Sequence, residues 1–451
     1  MIPMQTPGVI GTDPWWLVVI KVIVVLVVLL VWTIFNVWYE RRVLGKMQQR
    51  HGPIMNGPNG LCQAVGDGVK LMFKEDFRPA RTDPFVFNLA PFLTGLAAFS
   101  VWAVIPLGGQ VSVFGRVTNL QVADLPVAVL FVMAIAGLGI YGLVLAGWAS
   151  NGTYSLLGSM RASAQLISYE VAMGMSLVAV FMYSSSMSTS DIVSAQAVPL
   201  TFGTWELRLP GWYGLLLIPS FLTYMIAAFG ETNRLPFDLA ECENELVSGH
   251  ITDYSGFRYA LYYLAEYINM ATVCAVATTL FLGGYRAPWP FNFLWGGYLD
   301  QGWFGLIWFV IKVQILVTVF VWVRAALPRF RYDQFMGFGW KILIPFNLAW
   351  ILVLSVFRGG EGTGRMRLLV VAFVVLVVLV AMYVWGFLSD RKTDRDKPEA
   401  PAPFDAFAGG YPVPPPLGDR VPVFGDSYGL GPDDAEPAGP YQPVAAERGV
   451  G

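Results

Sequence analysis

The residues of this chain best suited to proton chemistry fall in one stretch, residues 231–266, which reads ETNRLPFDLAECENELVSGHITDYSGFRYALYYLAE. Glu231, Asp238, Glu241, Glu243, Glu245, Asp253 and Glu266 stand there against only Arg234 and Arg258, between two apolar runs long enough to cross a bilayer. Clustered carboxylates raise one another's pKa, and a low dielectric raises it further, so some of them should exchange protons near neutral pH. A solvated connecting loop whose charges only hold topology would carry the same residues. Acids kept beside a membrane for use are the alternative, since such groups are costly there.

Pro236 and Phe237 precede Asp238, and Glu241 follows it by three. That order suits an N-cap with a reciprocal carboxylate, opening a short helix over 239–248 that Gly249 would end. On such a helix Glu241 and Glu245 share a face and Glu243 does not, whereas an extended segment would align all three.

What must position these acids is set by composition. The 451 residues are 55% hydrophobic and 13% charged, with a net charge of −2, which excludes an ordinary soluble domain and a nucleic-acid binder. Cys62, Cys242 and Cys274 are isolated, and the two histidines, His51 and His250, fall in predicted polar loops. No metal, haem, disulfide or iron–sulfur site is therefore expected on this chain, and redox cofactors would be borrowed.

Apolar runs of membrane-spanning length fall near residues 14–38, 84–106, 122–149, 162–186, 210–229, 257–283, 303–327, 338–357 and 366–388, so the expected fold is an all-α polytopic membrane protein of about nine transmembrane helices. The first run lacks a basic leader and is too long for a signal peptide, so it reads as a retained span in which Lys21 snorkels. The third is long enough to require tilt. The loop from 39 to 83 carries Arg41, Arg42, Lys46, Arg50, Lys70, Lys74, Arg78 and Arg81, and alternate later loops are also basic. This orients the N-terminus outside and the C-terminus in the cytoplasm, with Arg358, Arg365 and Arg367 as the exception. Three segments result: a membrane domain over 1–357, an additional ninth helix over 358–388, and a Pro/Gly/Asp-rich cytoplasmic tail over 389–451, extended or disordered.

The cytoplasmic loops look structured and the outer loops do not. Leu61, Val65, Val69, Leu71 and Met72, spaced among Gln63, Asp67, Lys70 and Lys74, predict an amphipathic surface helix. GLGIYG at 137–142 fits a dinucleotide fingerprint but lies inside a span with no preceding strand, so it reads as close helix packing at small residues. Asn151-Gly-Thr matches a glycosylation acceptor on the wrong side of the membrane. Glu170, Glu266 and Lys312 lie within spans; either the acids join a water-filled route from the cytoplasmic side, or Lys312 forms a structural ion pair with one of them.

Several blocks carry a family resemblance: Glu40-Arg41-Arg42; Arg50, Gly52, Pro53, Gly57, Gly60, Gln63, Asp67 and Lys70; WASNGTYSLLGSMRASAQLISYE at 148–170; ETNRLPFDLAECENELVSG at 231–249; and WVRAALPRFRYDQFMGFGWK at 322–341. Together they resemble the subunit 1 family (the H subunit in bacteria) of the proton-pumping NADH:quinone oxidoreductase, respiratory complex I, over roughly residues 10–357. The resemblance implies a subunit of a bacterial plasma-membrane translocase that is not catalytic alone and does not bind NADH. Quinone would be its substrate, with FMN and iron–sulfur clusters in partner chains. The partners would be peripheral-arm subunits at the quinone site and antiporter-like membrane subunits. On the same basis Arg41, Asp67, Phe237 and Arg234 would line the quinone chamber. Glu170, Glu231, Glu241, Glu243, Glu245, Asp253 and Glu266 would form the proton route. Lys312, Arg324, Arg329 and Arg331 would balance that charge or dock partners.

The sequence departs from the family where Asp253 replaces a usual Glu, Ile54-Met55 a usual Asn-Arg, and Ala64 a usual Pro, and in the ninth span and tail. The region admitting quinone should therefore suit a different quinone tail. Competing expectations are the homologous subunit of a membrane hydrogenase or other-donor oxidoreductase, a stand-alone ion transporter and a passive scaffold.

Overall fold

The computed structural model describes residues 13–113, 115–202, 205–238, 246–291, 299–300 and 302–359, with five further positions between 373 and 384. Glu241, Glu243 and Glu245, most of the expected helix over 239–248, most of the ninth span and the whole tail lie outside the described residues.

The described chain is built of helices: α1 (Trp15–Met47), α2 (Cys62–Phe73), α3 (Pro84–Ser100), α4 (Ala128–Ser150), α5 (Thr153–Ser184), α6 (Thr189–Ala195), α7 (Tyr213–Leu216), α8 (Ile218–Glu231), α9 (Gly256–Phe281), α10 (Phe304–Ala326), α11 (Tyr332–Phe338) and α12 (Ile344–Gly359). Among the described residues seven helical stretches are long and apolar enough to cross a membrane, which makes this a mostly helical polytopic membrane protein. The expected span at 210–229 is instead α7 and α8, separated at Leu217 (φ −115°, ψ 45°) just ahead of Ile218-Pro219. Proline has no N–H to continue a helix from the residues before it, but in a first turn that donor is not needed, so one helix stops and the next starts.

Other boundaries differ from expectation. α1 runs to Met47, so Glu40, Arg41 and Arg42 lie on its last turns and not in a loop. α4 begins at Ala128 and has 23 residues, so the third span is not overlong. α5 begins at Thr153, and the expected loop between the third and fourth spans shrinks to Asn151-Gly152, with Asn151 left-handed at φ 53°. A left-handed residue closing one helix and a glycine ahead of the next turn the chain in two residues.

Two connections hold strands that the residue pattern does not predict. Strands β1 (Gly108–Val113) and β2 (Arg116–Leu120) form one antiparallel hairpin, and β3 (Pro199–Phe202) and β4 (Trp205–Pro210) form another. Lys21 does not snorkel into open solvent. Its Nζ lies 2.6 Å from Asp13 and donates to Thr118 Oγ1 at 2.7 Å and the Gln121 carbonyl at 3.1 Å, tying α1 to the first hairpin.

α9 is the most enclosed of these spans among the described residues, and α1, α2, α3, α8 and α10 pack around it. Small residues set these spacings. A Cβ at Gly142 would lie 2.0 Å from Thr94 Oγ1, and one at Gly139 would touch Ala97, so the GLGIYG segment serves helix packing. Lys312 on α10 donates to the carbonyls of Leu282, Gly284 and Arg286 at 2.5, 3.0 and 2.7 Å, with the Trp212 ring 4.3 Å away. It thus satisfies the carbonyls beyond the end of α9. These bonds, and not an ion pair with the acids of the 231–266 stretch, are what its ammonium makes.

Candidate functional site

At one end of α1, successive residues point opposite ways. Arg41 is outward, where its Nη1 meets Asp67 Oδ2 at 2.6 Å. Asp67 also accepts from Gln63 at 3.1 Å, four residues earlier on the same face of α2, and Gln63 accepts from Asn56 at 2.5 Å. The amphipathic helix expected here is α2, and two residues predicted to share a chamber, Arg41 and Asp67, are in contact.

Glu40 turns inward and is 3% exposed. Arg234, 6% exposed, places Nη1 3.3 Å from both Glu40 oxygens and Nε 2.8 Å from Glu266 Oε1. Arg324, at the last turn of α10, also bonds Glu40, and the Tyr267 hydroxyl donates to Glu40 Oε2 at 2.7 Å. The Tyr267 ring lies 4.2 Å from the Arg234 guanidinium, and Tyr263 donates to Tyr267 at 3.1 Å. Two guanidinium groups thus face two carboxylates, the arrangement under which buried charge is tolerable.

Glu266 belongs to a second feature as well. It lines a cavity of ≈ 100 Å³ with Glu170 from α5, Glu231 at the end of α8, Asn233, Asn269 and His250, the rest of the wall being mainly apolar side chains of α3, α4, α5 and α9. That space accommodates several waters. Three of the predicted proton-route acids therefore line one cavity.

The remaining predicted residues are placed elsewhere. Asp253 sits beside the α4–α5 turn, 3.3 Å from where a Cβ at Gly152 would be, and partial burial lifts its carboxyl above the usual range against an opposing hydrogen bond with Ser150. Phe237 is turned into an aromatic cluster with Tyr169, Phe330 and Phe335, at ring separations of 6.2, 5.6 and 4.5 Å. Gln165 donates to the Gly230 and Phe237 carbonyls at 2.7 and 2.9 Å, fixing the turn that presents Arg234. Arg329 donates to the Asp238 carbonyl, and Arg331 lies exposed, 3.6 Å from Asp333.

Sequence reasoning does not single out Glu40, Tyr263, Tyr267 or His250 as site residues. Tyr259, Tyr263 and Tyr267 recur at intervals of four, a readable one-face signal, while Glu40 is hidden by the adjoining arginines. His51 is exposed, as expected of a polar loop. His250, expected in another such loop, is instead 4% exposed, in a single 3₁₀ turn, Gly249–Ile251. Among the described residues no group of three or more His, Cys, Asp or Glu side chains could hold a metal ion.

Burial pushes the His250 imidazole down from 6.5 to about 4. The folded protein therefore keeps it neutral while the unfolded chain takes up a proton below about pH 6.5. Stability is unaffected above that pH and is lost progressively as pH falls towards 4, by up to roughly 3 kcal/mol. Thermal-inactivation midpoints measured over this window should fall more steeply for the wild type than for His250→Gln; parallel slopes would contradict the assignment.

Residues 20–355 match the family pattern described as NADH dehydrogenase. The chain is 62% identical over 408 residues to the H subunit of NADH-quinone oxidoreductase from Cutibacterium acnes, covering 89% of this chain and 92% of that protein. It is 45% identical over 419 residues to the protein of the same name from Streptomyces avermitilis, covering 91% and 89% respectively. The matched region takes in every residue of the charge cluster and of the cavity wall, from Glu40 to Arg324, and the chain belongs to the NADH dehydrogenase family.

Proposed function

We propose that this chain is the membrane subunit of NADH-quinone oxidoreductase that forms part of the quinone chamber and of the acidic route coupling quinone reduction to proton translocation. The observation that carries this reading is continuity. Polar groups succeed one another from the Arg41–Asp67 pair, past Tyr263 and Tyr267, to Glu40, Arg234 and Glu266, and Glu266 opens onto the cavity shared with Glu170 and Glu231. Quinone reduction consumes two electrons and two protons. In this reading the electrons come from iron–sulfur clusters of peripheral-arm subunits, after flavin in another partner. This chain's residues bind and orient the quinone and move protons. Glu241, Glu243 and Glu245, close behind Asp238 in the sequence, continue the route, and antiporter-like membrane subunits receive its effect. The enzyme sits in a bacterial plasma membrane with this chain's N-terminus outside, and the chain does not turn over alone.

In the same proposal 1–357 is the chamber domain, 358–388 an added ninth helix and 389–451 a cytoplasmic tail, most of the last two lying outside the described residues. The partner set implied by the relatives' name, rather than any hydrogenase, supplies the electron donor in this proposal.

The test is glutamine substitution of Glu231, Glu241, Glu243 and Glu266 singly in the assembled complex. Each should lower NADH:quinone activity and coupled proton translocation by about a hundredfold or more, the scale of losing a proton-transfer group. NADH:ferricyanide activity, which stops short of quinone, should stay at the wild-type level. Wild-type quinone reduction in all four assembled variants would overturn the route.

A further inference from the structure

We propose that His250 is a proton-relay residue of the acidic cavity, exchanging protons at Nδ1 with water held between Glu231 and Glu266. The inference rests on the proton-route reading above and adds to it a residue that is not an acid.

Three observations carry it. His250 lines the cavity together with Glu170, Glu231 and Glu266. It is 4% exposed, yet its Nδ1 is buried without a hydrogen-bond partner, whereas buried imidazole nitrogens are ordinarily paired. The cavity is large enough to supply the missing partner as water. The ring is also held in place. Its plane stands edge-on to Tyr262 at 5.6 Å and 82°, and its turn rests on Gly158, where a Cβ would lie 3.0 Å from the His250 backbone nitrogen.

The surrounding charges fit a relay. The titratable groups that reach this cavity from the packed elements are Glu170 on α5, Tyr224 and Glu231 on α8, and Tyr262 and Glu266 on α9; α3 and α4 contribute none. A proton arriving from water or a carboxylic acid binds the Nδ1 lone pair, giving an imidazolium in a cavity that three carboxyl groups also line. It then leaves from either ring nitrogen, restoring the neutral ring with no redox change. Burial keeps the resting imidazole neutral at pH 7, so it waits as an acceptor. The carboxyl groups shorten the life of the cationic form less than an apolar pocket would, because opposite charge stabilises it.

The experiment compares assembled complexes carrying His250→Phe, which keeps an aromatic ring against Tyr262, and His250→Gln, which keeps a polar group that does not titrate. His51→Gln serves as the control on an exposed histidine. Both His250 variants should retain NADH:ferricyanide activity and lose about tenfold in NADH:quinone activity, less than an obligatory acid–base group because water carries part of the flow. Their quinone reductase should also show a larger solvent deuterium isotope effect and a displaced acid limb in its pH profile, which packing damage alone would not produce. A wild-type rate and profile in either assembled variant, or failure of both to assemble, would assign His250 to packing and overturn the relay. Slow Glu231→Gln and Glu266→Gln complexes beside normal His250 variants would remove this inference alone. Normal rates in all of them would remove the proton route with it.

Discussion

Replacing Arg234 by glutamine is expected to cost about 3–5 kcal/mol and to leave little assembled complex, because it takes their cation from buried Glu40 and from Glu266, whose side chain is 24% exposed at the cavity. The guanidinium is 6% exposed and stands between Glu40 and Glu266, at 3.3 Å from the first and 2.8 Å from the second. The two acids are not equally affected. Glu40 keeps Arg324 and the Tyr267 hydroxyl, whereas Arg234 is the ion-pair partner the structure gives Glu266 among the described residues. Most of the loss should therefore pass through Glu266. The double variant Arg234→Gln/Glu266→Gln should accordingly assemble better than Arg234→Gln alone, since neutralising both members removes the uncompensated charge. Arg234→Lys should fall between, keeping the charge but not the planar fork that reaches two carboxylates at once. Complex yield on native gels and the thermal-inactivation midpoint measure all three. A single glutamine variant with the wild-type midpoint would show that the cluster is not held by charge pairing.

The second large effect is expected at Gly158, whose substitution by alanine should disable quinone reduction through a contact that has no side chain to yield. A Cβ there would lie 2.5 Å from Gly249 Cα, 2.9 Å from its carbonyl carbon and 3.0 Å from the His250 backbone nitrogen. All three are backbone atoms, and Gly249 is itself left-handed at φ 55°, so neither side can move cheaply. Forcing α5 off the 249–251 turn costs on the order of 1–3 kcal/mol or more, and it displaces the turn that carries His250. Gly95→Ala is the matched control within α3, since nothing lies within 4 Å of its added Cβ. There the change should be neutral or slightly stabilising, by about 0.5–1 kcal/mol, because alanine restricts the unfolded chain. Equal activity in the two variants would show that the α5–turn contact does not govern the site.

Local pattern and solvent dictate some features of this protein, and those the sequence determined by itself. Apolar runs of bilayer length can only be helices, because backbone groups in hydrocarbon must pair within their own segment, and this settled the polytopic helical class. The amphipathic spacing of 61–74 foretold α2, and of the acids marked in the sequence Glu170, Glu231 and Glu266 line one cavity. Helix ends were less legible. α1 carries Glu40, Arg41 and Arg42 as helix, and the connections ahead of α4 and α7 contain hairpins, since stability there comes from neighbours rather than from the residues' own preferences.

Only the tertiary structure decided which charges meet. Glu40 and Arg234 are 194 residues apart in the chain, and Glu40 and Arg324 are 284 apart, so no spacing rule connects them. Lys312 reads in the sequence as a partner for the acids and instead satisfies three carbonyls beyond α9. His250 reads as a loop histidine and is buried in the cavity wall. A charge declares its cost in the sequence, because burying it is unfavourable wherever it lies. Its partner is declared only by packing, because Coulomb attraction depends on distance and dielectric in the folded molecule and not on separation along the chain.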